Sequence, residues 1–317
     1  MSTASTPSRG PDSDDDGAVV TARRSATRRA KDALLGYALV LPSLLIFGVF
    51  VFYPFVKNFS LALHRTPPFP GLPKKYVGLD QVKEVLSSSE FHKSLRVTIE
   101  FVLLTVPAGI VLGLLLAVLA HRQLRGMGIY RTIFSSTVAT SVAAASVIFW
   151  TLFNPQIGLL TYWLGRSGDL GMLEDPKTAL LAVAITTIWQ NIGLSFILMS
   201  AGLQGVPDDL YEAAAVDGAD GRRRFWHVTL PMLSPTLFFS AVVGSILAFQ
   251  AFGQIDILTR GGPDNATNVL VYSVYQDVFR AGNDGVAAVK AIALFVIVLV
   301  LTIVQLRFAE RRVSYAR

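Results

Sequence analysis

Six long apolar runs dominate this sequence of 317 residues. A run of about 20 apolar residues is long enough to cross the hydrocarbon core of a bilayer as an α-helix. Within lipid, only helices or closed barrels satisfy every backbone N–H and C=O group, and continuous apolar blocks favour helices over the alternating strands of a barrel. The sequence therefore predicts an all-α, polytopic membrane protein with six transmembrane helices. The runs cover residues 34–56, 96–120, 132–153, 179–203, 237–258 and 286–306.

The composition agrees with a chain that lies mostly in lipid. Charged residues make up 16% and hydrophobic residues 52% of the sequence, whereas a soluble domain has roughly 25% charged residues. The absence of cysteine excludes a disulfide framework, a thiolate zinc site and a cysteine nucleophile. The net charge of +6 does not form a basic stripe with interleaved aromatic side chains, so we expect no nucleic-acid partner.

The first 33 residues differ from the rest of the chain, because they are rich in Ser, Thr, Asp, Arg and Gly. Such a segment cannot bury enough apolar surface to fold. We therefore predict a disordered cytoplasmic tail over residues 1–33 and a transmembrane domain over residues 34–317. A cleaved signal peptide does not fit, because the first apolar run is too long and about thirty polar residues precede it.

The distribution of Lys and Arg predicts the orientation of the helices. The side that holds both termini and the links 121–131 and 204–236 carries 16 basic residues, against 12 on the other side. The short link 121–131 contains Arg122, Arg125 and Arg131 and no acidic residue. Because cytoplasmic loops carry the excess of basic residues, we expect both termini in the cytoplasm.

The link 204–236 has the signals of ordered helical structure. Asp209, followed three residues later by Glu212, resembles a capping box and predicts a helix that begins near Asp208. Gly218 is placed to end this helix, since glycine accepts the left-handed conformation that helix ends require.

A second short helix is predicted after Gly218, carrying Arg222 to Arg224, Phe225 and Trp226 toward Pro231. The two helices would form an elbow with a small, smooth alanine face flanked by charged residues. A face of small side chains allows close approach of another protein, and rim charges orient it. The alternative is an interfacial helix packed on the chain's own cytoplasmic end.

The same link resembles a known family motif. Glu212-Ala213-Ala214, followed after three residues by Gly218 and after nine more by Val228-Thr229-Leu230-Pro231, is similar to the EAA loop of binding-protein-dependent ABC importer permeases. The family usually has Ile where Val228 stands. Similarity extends over nearly the whole chain after residue 34. It is carried by YVGLDQV at 76–82, NPQIGLL at 154–160, FGQID at 252–256, TRGGPDNATNVLVYSVY at 259–275 and QLRFAERRVSYAR at 305–317.

The resemblance implies the type I permease fold of ABC importers and the carbohydrate-uptake branch of the family. Within that branch, the segments 252–256 and 305–317 are most similar to UgpA-type permeases, which import glycerol 3-phosphate or glycerophosphodiesters. A neutral sugar, either an oligosaccharide or a maltose- or trehalose-like sugar, is the alternative cargo. The implied location is the bacterial plasma (inner) membrane.

In that family, the elbow is a coupling helix that sits in a cleft of a cytoplasmic ATPase. The resemblance assigns this contact to Glu212, Ala213, Ala214 and Gly218, with Asp217 and Arg222 to Arg224 as candidates for its rim. Because the sequence has no GxxxxGK[ST] phosphate loop, we expect a transport subunit that is not an enzyme and binds no cofactor or metal itself. ATP and Mg would bind a homodimeric partner ATPase. The other implied partners are a second, homologous permease subunit, an extracellular or lipoprotein substrate-binding protein, and membrane lipid.

Polar and aromatic side chains within the runs are the candidates for contact with cargo, because polar groups inside a membrane usually face a cavity or a partner helix. The alternative for each is a hydrogen bond between helices or a place in an interfacial aromatic belt. A phosphate would favour a cation, but the fourth and fifth runs hold no Lys or Arg, and Lys290 is expected to extend to the interface. The candidates are Trp150, Trp189, Gln190, Asn191, Gln250, Gln254 and Asp256.

Two other classes of protein fit the sequence poorly. An intramembrane enzyme would need a nucleophile with its base, paired acids or metal ligands within reach, but the four histidines lie in predicted loops or at helix ends and no HExxH or GxSxG motif occurs. A secondary transporter would have ion-coupling acids deep in the bundle or inverted repeats, and Asp256 alone is weak support for one.

Overall fold

Helices account for most of the residues in the computed structural model, which describes residues 34–67, 69, 72–121, 126–159, 162 and 171–312. The predicted tail over residues 1–33, Arg122 and Arg125 lie outside the described residues. Two short strands, β1 (His64–Arg65) and β2 (Lys75–Tyr76), pair antiparallel with His64 opposite Tyr76. The helices are α1 (Leu34–Ala62), α2 (Asp80–Leu86), α3 (Ser89–His121), α4 (Met127–Ser136), α5 (Val142–Phe153), α6 (Ala179–Gln204), α7 (Asp208–Val216), α8 (Gly221–Met232), α9 (Ser234–Phe249), α10 (Gly253–Leu258), α11 (Leu270–Phe279) and α12 (Asp284–Arg312).

Within the described residues, four helices are long and apolar enough to cross a membrane unaided: α1, α3, α6 and α12. Two bent pairs, α4 with α5 and α8 with α9, bring the number of spans to six when each pair counts as one. These elements correspond to the six predicted runs. The third and fifth spans are not the single straight helices that the run lengths suggested.

The bend in the third span is 103° and lies between α4 and α5. The chain leaves the helical conformation at Thr140, whose ψ is 125°, and Ser141 then caps α5 by accepting a hydrogen bond from the Ala144 N–H at 3.1 Å. A serine that satisfies a free backbone N–H in this way favours a new helix start over continuation. The predicted run 132–153 therefore contains an N-cap residue, Ser141, that starts a new helix, although the run is apolar on both sides of it.

The fifth span departs from its predicted bounds of 237–258 in two ways. It begins earlier, because α8 and α9 meet at a 62° bend where Pro231 and Pro235 remove backbone donors. It also ends earlier: α9 stops at Phe249, and the Phe252 ring then lies 5.6 Å from that of Tyr272 and 4.9 Å from that of Tyr275. The helix resumes as α10.

The packing from Phe59 onward forms one compact unit, in which α3 and α6 are the central pair. A Cβ added to Gly113 of α3 would lie 2.5 Å from the Cβ of Ser195 on α6, so the two helices touch through a position with no side chain. Small residues at the interface are the usual way for membrane helices to approach closely. Two apolar clusters surround this pair.

The first cluster joins α3, α5, α6, α10 and α11, with Phe101, Phe153, Val183, Ile255 and Tyr272 all at most 1% exposed. The second cluster joins the opposite ends of α3 and α6 to the start of α9, and includes Met199 and Leu233. The elbow formed by α7 and α8 follows directly from this second end of the bundle, since α6 ends at Gln204.

Candidate functional site

The elbow begins with α7, whose first residue is Asp208, as predicted. The predicted capping box is wrong. Pro207 occupies the N-cap position in an extended conformation, and no side chain accepts a hydrogen bond there. Asp208 and Asp209 instead lie in the first turn, where their negative charge favours the positive end of the helix dipole.

The C-terminus of α7 is a Schellman motif built on Gly218. Gly218 has a φ of +75°, its N–H donates to the Ala215 carbonyl at 3.1 Å, and the Ala219 N–H donates to the Ala214 carbonyl at 2.9 Å. This pair of bonds satisfies carbonyls that a helix end leaves open. A Cβ on Gly218 would meet nothing within 4 Å, so the backbone conformation alone accounts for the glycine. The prediction that Gly218 ends the helix is confirmed.

The second arm of the elbow is capped independently and is tied to the first. Asp220 accepts a hydrogen bond from the Arg223 N–H at 2.8 Å and starts α8. The Tyr211 hydroxyl of α7 lies 3.1 Å from the hydroxyl oxygen of Thr229, which is 6% exposed. The two short helices are therefore held at a set angle by a hydrogen bond across the bend.

The residues assigned to coupling lie on one exposed surface. No residue of α7 is buried, and Glu212, Ala213, Asp217 and Gly218 are exposed while Ala214 is half-buried. Val216 beside them is 89% exposed. The elbow is thus an ordered projection with a small-residue face.

Among the candidate cargo residues, Gln190 and Gln254 meet directly. The Gln254 side-chain N–H donates to the Gln190 Oε1 at 2.7 Å, which joins α6 to α10. Asn191 donates to the Thr187 carbonyl at 3.0 Å and lines a small cavity of about 40 Å³ between α3, α6 and α9. Gln250 is exposed at the end of α9.

Asp256 belongs to a second polar group, centred on Tyr272. The fully buried Tyr272 hydroxyl donates to Asp256 Oδ1 at 3.0 Å and accepts from Arg280 Nη2 at 3.1 Å. Burial, reinforced by the carboxylate of Asp256, raises the pKa of Tyr272 to about 12. The group brings an arginine beside a predicted pathway residue, which the sequence did not predict.

The two tryptophans lie in different surroundings. Trp189 packs in the first apolar cluster, with its ring 5.5 Å from that of Phe149 in an edge-to-face arrangement. Trp150 is 46% exposed and lines an open cleft of about 390 Å³ that also contains Glu174, Thr259 and Pro263. Trp150 is therefore the accessible aromatic surface of the pair.

Lys290 is a charged residue whose position differs from the prediction. It was expected to extend to the membrane interface, but it is 1% exposed. Its ammonium lies 2.7 Å from both Glu90 Oε1 and Asp277 Oδ2 and donates to Ser273 Oγ at 2.8 Å. The expectation of an interfacial position failed because α11 folds over α12 and supplies a carboxylate and a hydroxyl. A lysine within an apolar run is the signal that pointed to such a partner.

The comparisons define the class of this protein. Residues 109–314 match the family of binding-protein-dependent transport system inner membrane components. The chain belongs to this family: it is a multi-pass inner-membrane permease component of an ABC transporter, and not the ATPase of that transporter. The expected permease class is confirmed.

Sequence identity to individual relatives shows which members of the family this chain is similar to. The chain is 41% identical over 284 residues to the sn-glycerol-3-phosphate transport system permease protein UgpA of Agrobacterium fabrum, covering 89% of this chain and 97% of that protein. It is 39% identical, with the same coverage, to the protein of that name in Rhizobium meliloti. A bacterial ABC transporter involved in the import of alginate, an acidic polysaccharide, shares the fold with a TM-score of 0.78 and 22% identity, covering 92% of this chain and 100% of that chain.

Proposed function

We propose that this chain forms half of the membrane pathway through which an ATP-driven importer takes up glycerol 3-phosphate or glycerophosphodiesters. The observation that carries the cargo class is the 41% identity, over 89% of the chain, to a permease named for sn-glycerol 3-phosphate. The proposed assembly contains this subunit, a second homologous permease, a homodimeric cytoplasmic ATPase that binds ATP and Mg, and an extracellular or lipoprotein substrate-binding protein. Both termini lie in the cytoplasm of a bacterial cell.

The elbow of α7 and α8 is the proposed contact with the ATPase. Its exposed face presents Glu212 and Ala213 at the surface, with Ala214 behind them and Asp217 and Gly218 at the bend. Small side chains permit close approach to a cleft, and the acidic residues orient the contact. The elbow connects α6 to α9, so force applied to it reaches two membrane spans at once.

The elbow is held rigid by hydrogen bonds, so in this proposal a movement of the ATPase is passed on to the membrane helices. Its bend is held by the Schellman motif at Gly218 and by the hydrogen bond between Tyr211 and Thr229. At its far end, a Cβ on Gly202 of α6 would lie 2.6 Å from Thr236 of α9, so the two helices are in close contact there. In the proposed cycle, closure of the ATP-bound ATPase pair shifts the population of the bundle between states that face opposite sides of the membrane.

The proposed cargo contacts are the polar residues at the junction of α6 with α9 and α10. Gln190, Asn191, Gln250 and Gln254 supply uncharged amides suited to hydroxyl groups, and Trp150 and Trp189 supply aromatic surface. Lys290 forms ion pairs with two carboxylates, so we do not include it among the ligands of a phosphate. Arg280 is linked to Asp256 through the Tyr272 hydroxyl, to which both side chains bond.

A neutral sugar is the second candidate cargo, and a specific observation favours it: the amides named above carry no charge. The two candidates are separated by the affinity of the cognate substrate-binding protein for glycerol 3-phosphate, glycerophosphocholine and maltose. Tighter binding of the phosphate compounds, matched by uptake of labelled glycerol 3-phosphate in cells that express the whole transporter, supports the proposal. Binding of maltose alone replaces it with the sugar importer.

The coupling proposal is tested with a matched pair of glycines. Gly218 and Gly221 both have open space around the Cβ position, but only Gly218 has a positive φ. Gly218→Val should therefore strain the elbow by roughly 1–2 kcal/mol or more, whereas Gly221→Val leaves the bend intact. We expect Gly218→Val and Glu212→Lys to insert normally, but to lose cargo-stimulated ATPase activity or association with the ATPase. Normal ATPase binding and uptake in both variants would refute the assignment of the elbow.

A further inference from the structure

A cavity lies at the end of the bundle next to the elbow, and the proposed cycle does not use it. The cavity has a volume of about 290 Å³ and is enclosed by the last turns of α3 and α6 and by α4. Among the described residues, its lining contains an arginine, a histidine, an amide and two serines beside alanine, phenylalanine and isoleucine side chains, and no Asp or Glu. The polar residues are His121, Arg131, Ser135, Ser200 and Gln204.

Arg131 supplies the charge in this cavity. Its Nη2 and Nε donate to the Ala120 carbonyl at 2.9 and 3.3 Å, which caps the C-terminal end of α3. A guanidinium has five N–H donors, so these two bonds leave the others unused. In the described part of the chain, no carboxylate lies within ion-pair distance of Arg131.

Ser200 gives a second, independent observation. Its Oγ is fully buried and has no hydrogen-bond partner among the described residues. A buried hydroxyl without a partner costs free energy unless a ligand or water satisfies it. Ser200 lines the same cavity as Arg131, and rotation of its side chain would turn the hydroxyl toward a group with oxygen acceptors bound there.

The position of the cavity indicates where such a group comes from. α3 and α6 have 33 and 26 residues, and about 20 residues cross the hydrocarbon core. We therefore expect their final turns, where the cavity lies, at the level of the phospholipid headgroups. Ile197, which is 41% exposed, lines the same cavity and provides an apolar wall beside the polar groups. Basic pockets between helix ends are a recurring site for anionic lipid headgroups.

We propose that this cavity binds the phosphate of an anionic phospholipid headgroup, with Arg131 as its cationic ligand and Ser200 as a hydrogen-bond donor. The bound lipid would bridge α3, α4 and α6 next to the elbow. The inference requires only that the chain is inserted in a membrane, and it is independent of the cargo and of the ATPase contact.

The test uses the purified full chain in detergent, mixed with equal amounts of phosphatidylglycerol and phosphatidylcholine, and counts bound lipids by native mass spectrometry. We expect the wild type to retain phosphatidylglycerol preferentially and Arg131→Gln to lose that preference about fivefold, as expected for one basic side chain at a membrane surface. The matched control is Arg96→Gln, an 80% exposed arginine near the other end of α3, which should retain the wild-type preference.

A second variant protects the test against misfolding of Arg131→Gln. Ala201 is exposed and lines the cavity, so Ala201→Leu should fill it and displace the lipid without removing a charge. Equal retention of phosphatidylglycerol in the wild type and both cavity variants would overturn the proposal.

A third arm separates the lipid from a soluble phosphate. Inorganic phosphate and glycerol 3-phosphate are added at millimolar concentration. Binding of these compounds to wild type but not to Arg131→Gln, without any preference for phosphatidylglycerol, would replace the lipid with a soluble phosphate monoester. Neither result bears on the elbow, because no ATPase is present.

Discussion

Replacing Lys290 by methionine removes the buried ammonium that pairs with the carboxylates of Asp277 and Glu90. Lys290 lies 2.7 Å from Asp277 and from Glu90, and the Asp277 side chain is only 14% exposed. Removing one partner of a buried ion pair costs about 3–5 kcal/mol, because the remaining charge is left without compensation. The Glu90 side chain is 60% exposed and stays hydrated, so we assign almost all of this cost to Asp277.

The pH dependence of Lys290→Met follows from Asp277. Burial raises the pKa of Asp277 above its ordinary value, and Lys290 opposes that rise. Without Lys290, the pKa of Asp277 rises further, so the folded state holds its proton more tightly than the unfolded state does. The free energy of unfolding of the variant should therefore increase as pH falls from neutral, toward the wild-type value.

The measurement is the free energy of unfolding in mixed detergent micelles, followed by circular dichroism between pH 4 and pH 8. The double variant Lys290→Met with Asp277→Asn removes both charges and should recover most of the loss. Lys93→Met is the control, because Lys93 is exposed and donates to the Asp264 carbonyl. The reasoning fails if Lys290→Met unfolds within about 1 kcal/mol of wild type at neutral pH, or if the double variant is less stable than the single one.

Three further predictions concern other parts of the chain. Tyr272→Phe should lower the free energy of unfolding by about 1–3 kcal/mol, because it leaves Asp256 without a buried donor. In the wild type, the free energy of unfolding should fall as pH rises from 10 toward 12. Ultraviolet titration should show one tyrosine of high pKa in the wild type that the variant lacks. Gly113→Ala should cost about 1–3 kcal/mol through the contact with Ser195, whereas Gly109→Ala, with nothing within 4 Å, should unfold like wild type. Deleting residues 2–20 should leave uptake unchanged, because this stretch is polar and contains few apolar residues. A strong loss of transport would show that the tail acts in the transport cycle.

The class of the protein could be predicted from the sequence because its signals are local. A run of about 20 apolar residues has one physical outcome in a membrane, and the six runs match four single-helix spans and two bent pairs. The end of the first elbow helix could also be predicted from the sequence, since Gly218 ends α7 through a backbone conformation that few other residues adopt. These features depend on neighbours within a few positions.

Features that depend on distant residues were decided only by the tertiary structure. Hydrophobicity alone did not reveal the bends, because Ser141 and Pro235 act through backbone hydrogen bonds while the runs around them remain apolar. The surroundings of Lys290 depend on Glu90, which is 200 positions away. Apolar periodicity reports which residues leave water, but in lipid it does not report which helix faces which, so the partners of buried polar groups emerge only from the packing.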